Sequence, residues 1–293
     1  MEKHGATCKD APLPSTLAPM SWTWCKGEYI EGPLAVSAGD RGLTHGLGIF
    51  ETLLALEGRP VVLEMHLERM RSGAERLGWQ IADLGTVRME EAIRGLLARA
   101  GLEHGRARVR IALSAGEGEL RCLERGKDSL LWITAAAAPP PPESVALVTA
   151  AFPRNEASPL AGVKCASYAE NLVALDYARR NGADEALFHN TKGELCEGTT
   201  SNVFLVNGGR VLTPPLSSGC LPGTTRARVI TLCRTWGIPV AEETLTPADL
   251  AAAAEVFTSS ATRGVVPVRS VDRAAYEPGE ITCRLREILG RER

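Results

Sequence analysis

A run of four alanines and four prolines, residues 135–142, interrupts the chain close to its midpoint. Proline cannot pair in a sheet interior and holds the backbone on an extended, semi-rigid path. Because 293 residues suffice for two medium-sized domains, we interpret this run as a domain boundary. The predicted division is an N-terminal extension at 1–21, a small domain at 22–134, a linker at 135–144 and a large domain at 145–293.

Before this boundary, the hydrophobic pattern changes between the strand period and the helix period. Arg106, Arg108 and Arg110 alternate with apolar side chains, which is typical of a half-buried strand with a basic face. Residues 66–79 and 87–100 instead carry apolar side chains at helical spacing. Strands are predicted at 24–30 and 106–114. We therefore predict a small domain that contains both strands and helices.

After the boundary, short strands and helices follow one another without strict alternation. Residues 168–181 form a predicted helix that ends at Gly182, and residues 224–236 form another. Short strands are predicted between and after them, including 185–189 and 202–206. This order favours an α+β fold over a doubly wound parallel sheet.

The bulk composition excludes several classes of protein. A formal net charge of −2 gives no reason to expect a nucleic-acid or membrane-surface partner. No apolar run approaches membrane-spanning length, and the first twenty residues lack the apolar segment of a secretory signal. The eight cysteines form no C-x-x-C pair and lie at no zinc spacing, so we expect reduced thiols, a cytoplasmic protein and no metal.

Seven short segments occur in a defined order along most of the chain. They read H-L-E-R (66–69), K-C-A-S-Y (164–168), G-A-D-E-A-L-F (182–188), G-E-L-C-E-G-T-T-S-N-V-F (193–204), L-T-P-P-L (212–216), L-P-G-T-T-R (221–226) and E-V-F-T-S-S (255–260). In this order they resemble the fold-type IV enzymes that use pyridoxal 5'-phosphate (PLP), the class IV aminotransferase family. That family includes branched-chain and D-amino-acid aminotransferases and 4-amino-4-deoxychorismate lyase.

The resemblance implies both an architecture and a cofactor. We expect a two-domain fold like that of D-amino-acid aminotransferase, with a smaller N-terminal α/β domain, a larger C-terminal domain and PLP between them. It further implies a homodimer whose partner contributes loop residues to the site. An amino acid and its keto acid are the expected small-molecule substrates.

Two residues are expected to perform the central chemistry. A lysine must bind the cofactor aldehyde as a Schiff base and later move protons, and Lys164 matches the family lysine. A carboxylate must keep the pyridine nitrogen protonated so that the ring can accept electrons, and Glu197 matches that residue. Glu194 is the nearest alternative carboxylate.

The cofactor phosphate is expected at the start of the second predicted helix. Gly223, Thr224 and Thr225 stand there, and free backbone N–H groups together with the helix dipole favour an anion. The resemblance adds Arg69, whose guanidinium suits a phosphate, and the hydroxyl of Ser260. Many relatives carry a threonine where this chain has an alanine, directly after Ser260, so one phosphate contact is expected to be missing.

The remaining candidates concern the cofactor oxygen and the substrate. Tyr168 is the candidate donor to the phenolic oxygen, although a tyrosine at a helix start also serves as a core residue. Arg108 and Arg110 offer guanidinium groups to a substrate carboxylate, and Arg110 resembles a position used by some branched-chain aminotransferases. A solvated strand face explains the same two arginines equally well.

Three functions remain open from the sequence. Transamination is favoured because it is the commoner activity among relatives, whereas 4-amino-4-deoxychorismate lyase, which releases pyruvate, uses the same catalytic residues. A PLP-binding protein without catalysis is the third. Relatives often read F-E-x-x-R and G-D-G, but this chain has Leu54 at the arginine and Gly46-Leu47-Gly48 at the second motif. These departures argue against standard branched-chain or D-amino-acid specificity.

Overall fold

The computed structural model describes residues 22–81, 84–126 and 128–291. The predicted extension at 1–21 lies outside these residues. Within them, strands and helices are mixed as the sequence predicts, which confirms the α+β class. None of the described helices combines the length and apolar character required to span a membrane.

The first part of the chain forms a six-stranded antiparallel sheet with the order β2-β1-β6-β5-β3-β4. Its elements are β1 (Trp22–Cys25), β2 (Glu28–Glu31), α1 (Arg41–His45), β3 (Gly48–Leu56), β4 (Arg59–Pro60), α2 (Leu63–Arg76), α3 (Thr86–Arg99), β5 (Arg106–Ser114) and β6 (Leu131–Ala137). Helices α2 and α3 cover one face, where Leu67, Ile93 and Val109 are fully buried. The other face carries Phe50 and Arg110 and is left for the functional site.

The second part forms a larger mixed sheet with the order β12-β11-β10-β13-β14-β7-β8-β9, and β15 pairs with β14. Its elements are β7 (Val145–Thr149), α4 (Ala169–Arg180), β8 (Glu185–His189), β9 (Leu195–Gly198), β10 (Asn202–Asn207), β11 (Arg210–Thr213), α5 (Thr224–Thr235), β12 (Val240–Glu242), α6 (Pro247–Ala251), β13 (Glu255–Ser260), β14 (Gly264–Val271), β15 (Ala274–Ala275) and α7 (Glu280–Arg291). Three apolar clusters pack on this sheet and its helices.

One predicted strand differs from the structure. The single strand predicted from Trp24 to Ile30 is a hairpin, because Lys26 and Gly27 adopt positive φ angles of 50° and 101° and reverse the chain. Residues 135–137, at the start of the predicted linker, continue β6 and pair with β5. Alanine is compatible with a strand, and the first proline comes only at position 139.

Candidate active site

A cavity of about 830 Å³ lies between the exposed face of the first sheet and the strand ends of the second. Cavities of this size commonly hold a cofactor or a small ligand. Every site residue predicted from the sequence lines it: Arg69, Arg108, Arg110, Lys164, Tyr168, Glu197, Gly223, Thr224, Thr225 and Ser260. The structure therefore brings together residues that are far apart in the chain.

Lys164 is held by backbone pairing with the first sheet. Its carbonyl accepts the N–H of Phe50 at 2.9 Å, and the N–H of Ala166 donates to the Gly48 carbonyl at 2.7 Å. Val163 and Cys165, on either side of the lysine, pack into the core beneath the first sheet. The loop that carries the lysine is thus anchored to β3, although it belongs to the second half of the chain.

The Lys164 amine lies among aromatic and cationic groups. Its Nζ is 4.5 Å from the centre of the Phe50 ring and 5.5 Å from that of Tyr168. Burial, followed by the neighbouring charge of Arg69, lowers the pKa of Lys164 to about 8, although Glu51 and Glu197 oppose the shift. A substantial neutral fraction near pH 8 makes this amine a nucleophile and a base.

Glu197 projects into the cavity from β9. Its Oε2 accepts the backbone N–H of Leu221 at 2.9 Å, which fixes the carboxylate in one orientation. Burial raises the pKa of Glu197, while the guanidinium of Arg154, with Nη2 at 3.7 Å from Oε1, acts in the opposite direction. A largely buried carboxylate of this kind is suited to stabilising a nearby cationic nitrogen.

The N-terminus of α5 supplies free donors on the opposite side of the cavity. Gly223 is the N-cap residue and contributes no side-chain hydrogen bond, so the first-turn N–H groups remain available to an anion. A Cβ on Gly223 would lie 2.0 Å from Oδ1 of Asn202, so any larger residue would force the Asn202 side chain to move. Thr225 and Ser260 add hydroxyl groups to the cavity wall.

Arg69 is oriented by a buried carboxylate on the first sheet. Its Nε and Nη2 donate to the two Glu51 oxygens at 2.8 and 2.5 Å, and Nη1 donates to the Pro222 carbonyl at 3.1 Å. Nδ1 of His66 lies 2.7 Å from the same carboxylate, and its Nε2 lies 3.3 Å from the Thr224 hydroxyl. This network connects α2 to the start of α5 and positions the guanidinium beside the α5 N-terminus.

The buried ion pair predicts a specific loss of stability in acid. Burial alone would raise the pKa of Glu51, but Arg69 and His66 lower it to about 2 from an ordinary 4.5. A lowered pKa stabilises the fold above the unfolded value, and this contribution, about 3 kcal/mol, is lost as pH falls from 4.5 towards 2. Glu51→Gln should remove it, and urea unfolding at a series of pH values measures the difference.

Glu68→Gln provides the matched control, because Glu68 is exposed on α2, the helix that carries His66 and Arg69, and its substitution should leave the unfolding curves unchanged. The difference in free energy of unfolding between the native protein and Glu51→Gln should shrink as the pH is lowered. A difference that stays constant from pH 6 to pH 3 would contradict the role of this ion pair.

Tyr168 precedes α4 and lies against the lysine. Its hydroxyl donates to the Thr199 carbonyl at 3.0 Å, and its ring meets Phe50 edge-on at 5.4 Å. Burial, with a further contribution from Glu197, raises the pKa of Tyr168 to about 12. The phenol therefore stays protonated at neutral pH.

Arg108 and Arg110 line the cavity from β5 and are both exposed. The Arg110 guanidinium stacks on the Phe50 ring with Cζ at 3.7 Å from its centre, on the same ring that Lys164 contacts. Arg110 therefore shares an aromatic contact with Lys164, whereas Arg108 only lines the same cavity.

A match to a family model accounts for this combination of fold and cavity. Residues 48–271 match the model described as amino-transferase class IV. The chain belongs to this family. The class IV match covers parts of both sheets and includes every candidate site residue listed above from Arg69 to Ser260.

Relatives of this class IV protein carry two different functional names. One from Methanocaldococcus jannaschii, named as a branched-chain-amino-acid aminotransferase, is 33% identical over 90% of this chain and 93% of its own. The aminodeoxychorismate lyase of Bacillus subtilis is 26% identical over 92% and 94%. A solved aminotransferase from Brucella abortus with bound PLP is 31% identical, covers 91% and 96%, and superposes with a TM-score of 0.80.

Several residues of this class IV site escape detection in the sequence. Arg154 stacks on Phe188 at 4.2 Å and bonds Oδ1 of Asn171 and Oε2 of Glu170, both at 3.2 Å, which directs it towards Glu197. An isolated arginine in a loop gives no sequence signal. Arg154 is a positioning residue for the carboxylate.

A buried carboxylate also holds the turn after Glu197. Glu185 accepts the Thr200 N–H at 3.1 Å, the Thr200 hydroxyl at 2.8 Å and the Ser201 hydroxyl at 2.9 Å. It also forms an ion pair with Arg263, from the turn after β13. One carboxylate thus connects the two turns that line this class IV cavity. Among the residues described, no cluster of side chains suited to a metal ion occurs.

Proposed function

We propose that this chain is a PLP-dependent aminotransferase that transfers an amino group between a small amino acid or amine and a 2-oxo acid. One observation carries the proposal: a single cavity holds the Lys164 amine, the Glu197 carboxylate and the uncapped start of α5. The relatives named as aminotransferases and the PLP-bound neighbour from Brucella abortus support it.

The donor set of the cavity fits PLP. No hydrogen bond or ion pair engages the Lys164 amine among the described residues, so it is available to the aldehyde. The phosphate would be held by the first-turn N–H groups after Gly223, by the hydroxyls of Thr224 and Thr225, and by Arg69 and Ser260. Ala261 offers no hydroxyl there, in keeping with one missing contact.

Bound PLP supplies a ring that withdraws electrons from the alpha carbon of an attached amino compound. Glu197 would stabilise positive charge on the ring nitrogen, and Arg154 would orient that carboxylate. The protonated Tyr168 would turn its one O–H from the Thr199 carbonyl to the ring oxygen. Lys164, once free, would remove the alpha proton and return it to an adjacent carbon.

The pKa of Lys164 sets the pH at which the protein takes up its cofactor. The neutral amine is the nucleophile, so the rate of covalent PLP uptake by the apoprotein should rise with pH and level off above about 8. Below that value the rate should fall about tenfold per pH unit, since the neutral fraction does. Stopped-flow absorbance measures the uptake, and a rate that is flat from pH 6 to pH 9 would contradict the assignment.

Arg108 and Arg110 are the proposed contacts for a substrate carboxylate. Their position beside Phe50 and Lys164 supports this role, because a guanidinium binds a carboxylate through two parallel hydrogen bonds. Arg110→Gln should raise the KM for amino-acid donors more than it lowers kcat. An unchanged KM for every acidic substrate would assign this pair to a solvated strand face instead.

4-Amino-4-deoxychorismate lyase activity is the second candidate, favoured by a full-length similarity to the enzyme from Bacillus subtilis. A panel of amino donors and keto acceptors, followed by absorbance, separates the two. A keto product that requires both partners supports transamination, whereas pyruvate from aminodeoxychorismate without an acceptor supports the lyase. A PLP-loaded protein that is inert towards every amine would indicate a binding role. The presence of both Lys164 and Glu197 in the cavity argues against that role.

We further propose that the protein is a cytoplasmic homodimer. Each chain would consist of the two domains that the sequence divides at the proline run. Three exposed leucines support a dimer: Leu43, Leu120 and Leu123. Arg41 donates to the carbonyls of Gly116 and Glu119 and so holds α1, which carries Leu43, against the loop that carries Leu120. This apolar surface suits a second copy of the chain. Sedimentation equilibrium of the native protein should give twice the mass of one chain. The Leu120→Asp variant should give the mass of a monomer. A monomeric native protein would exclude the dimer.

A further inference from the structure

A second pocket, the outer pocket, lies behind the start of α5. It has a volume of about 530 Å³ and is walled by β3, the beginning of β5, the proline run, α5, the turn after β13, and α7. Thr225 and Ala261 border both this pocket and the catalytic cavity. The outer pocket therefore adjoins the proposed phosphate end of the active site from outside.

The floor of the outer pocket is apolar. It is formed by Leu54 and Leu56 from β3, Val61 after β4, Val265 from β14 and Leu289 from α7. Leu54 occupies the position where relatives often carry an arginine, so this departure makes the pocket more apolar. Ala261, another departure from the relatives, borders the same space. Two of the differences from the relatives thus lie at one pocket.

Arginine side chains surround this floor, and two of them lack a carboxylate partner among the described residues. Arg106 donates to the Thr262 carbonyl at 2.7 Å, and Arg286 donates to the carbonyls of Pro142 and Glu143 at 2.9 and 2.5 Å. Carbonyl groups hold these guanidinium groups in place without neutralising their charge. Among the described residues, Glu287 is the carboxylate that lines the pocket, and it already forms an ion pair with Arg291.

From these contacts we propose that the outer pocket binds a small organic anion, a phosphate monoester or a carboxylate attached to a short apolar body. The fixed guanidinium groups of Arg106 and Arg286 bind the anionic group, and the leucine and valine side chains receive the apolar part. Partial burial of Arg106 strengthens the attraction, because the local dielectric constant is lower than that of water. A bound anion would also touch the turn held through Thr262, which borders the catalytic cavity.

Cys283 provides a reporter that is independent of activity. It lines the outer pocket and is exposed, so an occupant should shield its thiol from alkylation. The protein loaded with PLP is treated with iodoacetamide in the presence of phenyl phosphate, 3-phenylpropionate or the neutral 3-phenylpropanol, and alkylation of Cys283 is followed by peptide mass mapping. Cys122, which lies outside the pocket, serves as an internal standard.

We expect an anionic probe at about ten times its dissociation constant to slow alkylation of Cys283 about tenfold, and the alcohol to have little effect. Arg286→Gln should raise the dissociation constant of the protecting anion at least about tenfold. Arg284→Gln is the matched control, since Arg284 lies on the same helix but stacks on Trp236 at 4.6 Å. Arg106→Gln tests the same site from β5 should Arg286→Gln fold poorly.

Protection by phenyl phosphate alone identifies a phosphate ester as the ligand class, and protection by 3-phenylpropionate alone identifies a carboxylate. Equal protection by the alcohol, no protection up to about 10 mM, or unchanged protection in both arginine variants would overturn the proposal. The readout is alkylation at a site outside the catalytic cavity, so a failure of the proposed aminotransferase activity would leave it interpretable.

Discussion

Lys164→Met should lower turnover at least about 10³-fold and abolish the covalent PLP adduct, because one amine serves as both the attachment point and the base. The side chain lines the cavity beside Phe50 and Tyr168, and no other lysine among the described residues lines that cavity. Steady-state kinetics and visible absorbance measure the two effects.

Lys192→Met is the control, because Lys192 is exposed in the turn before β9 and should keep both activity and absorbance. The Lys164→Met protein should remain folded, since its aliphatic stem is preserved and the loop is anchored through backbone atoms. Retention of the covalent adduct in Lys164→Met would show that another amine binds the cofactor.

Glu197→Gln should retain bound PLP while losing about 10²-fold or more in turnover, because the carboxylate acts on charge that develops during the reaction. The glutamine keeps the shape of the side chain and can still accept the Leu221 N–H, so the cavity should be preserved. Only the negative charge facing the ring nitrogen is removed. The ratio of kcat in the two proteins, together with the cofactor absorbance, measures the effect.

Glu194→Gln is the control for the neighbouring carboxylate. Glu194 accepts a hydrogen bond from the Asn190 amide at 2.7 Å and lies outside the cavity lining. The Glu194→Gln variant should retain nearly full turnover. Full activity in Glu197→Gln, or a large loss in Glu194→Gln, would show that the charge partner of the ring has been assigned to the wrong residue.

The fold was largely predictable wherever local periodicity and tertiary packing agree. Strands 106–114 and 185–189 match the structure to the residue, and the helix at 224–235 begins where Gly223 predicts. The sequence missed α1 and α6, because each has five residues, too few to show a period. The hairpin at β1 and β2 was missed because Lys26 adopts a positive φ that its side chain does not signal.

The site was predictable for residues that lie in the ordered motifs and hidden for residues that act through them. Lys164 and Glu197 belong to recognisable segments, and the structure places both in one cavity. Glu51 stands at the glutamate of the F-E-x-x-R motif, outside those segments, and its pairing with Arg69 depends on how α2 packs on β3. Arg154 reaches Glu197 only because two distant segments meet. Contacts of this kind are tertiary and leave no local pattern.

Reduction of the PLP-loaded protein with borohydride, followed by peptide mass mapping, tests the central claim most directly. The cavity geometry and the lowered pKa of Lys164 predict one phosphopyridoxyl group per chain, on Lys164. A group found on any other lysine, or a protein that takes up no PLP at all, would contradict the account.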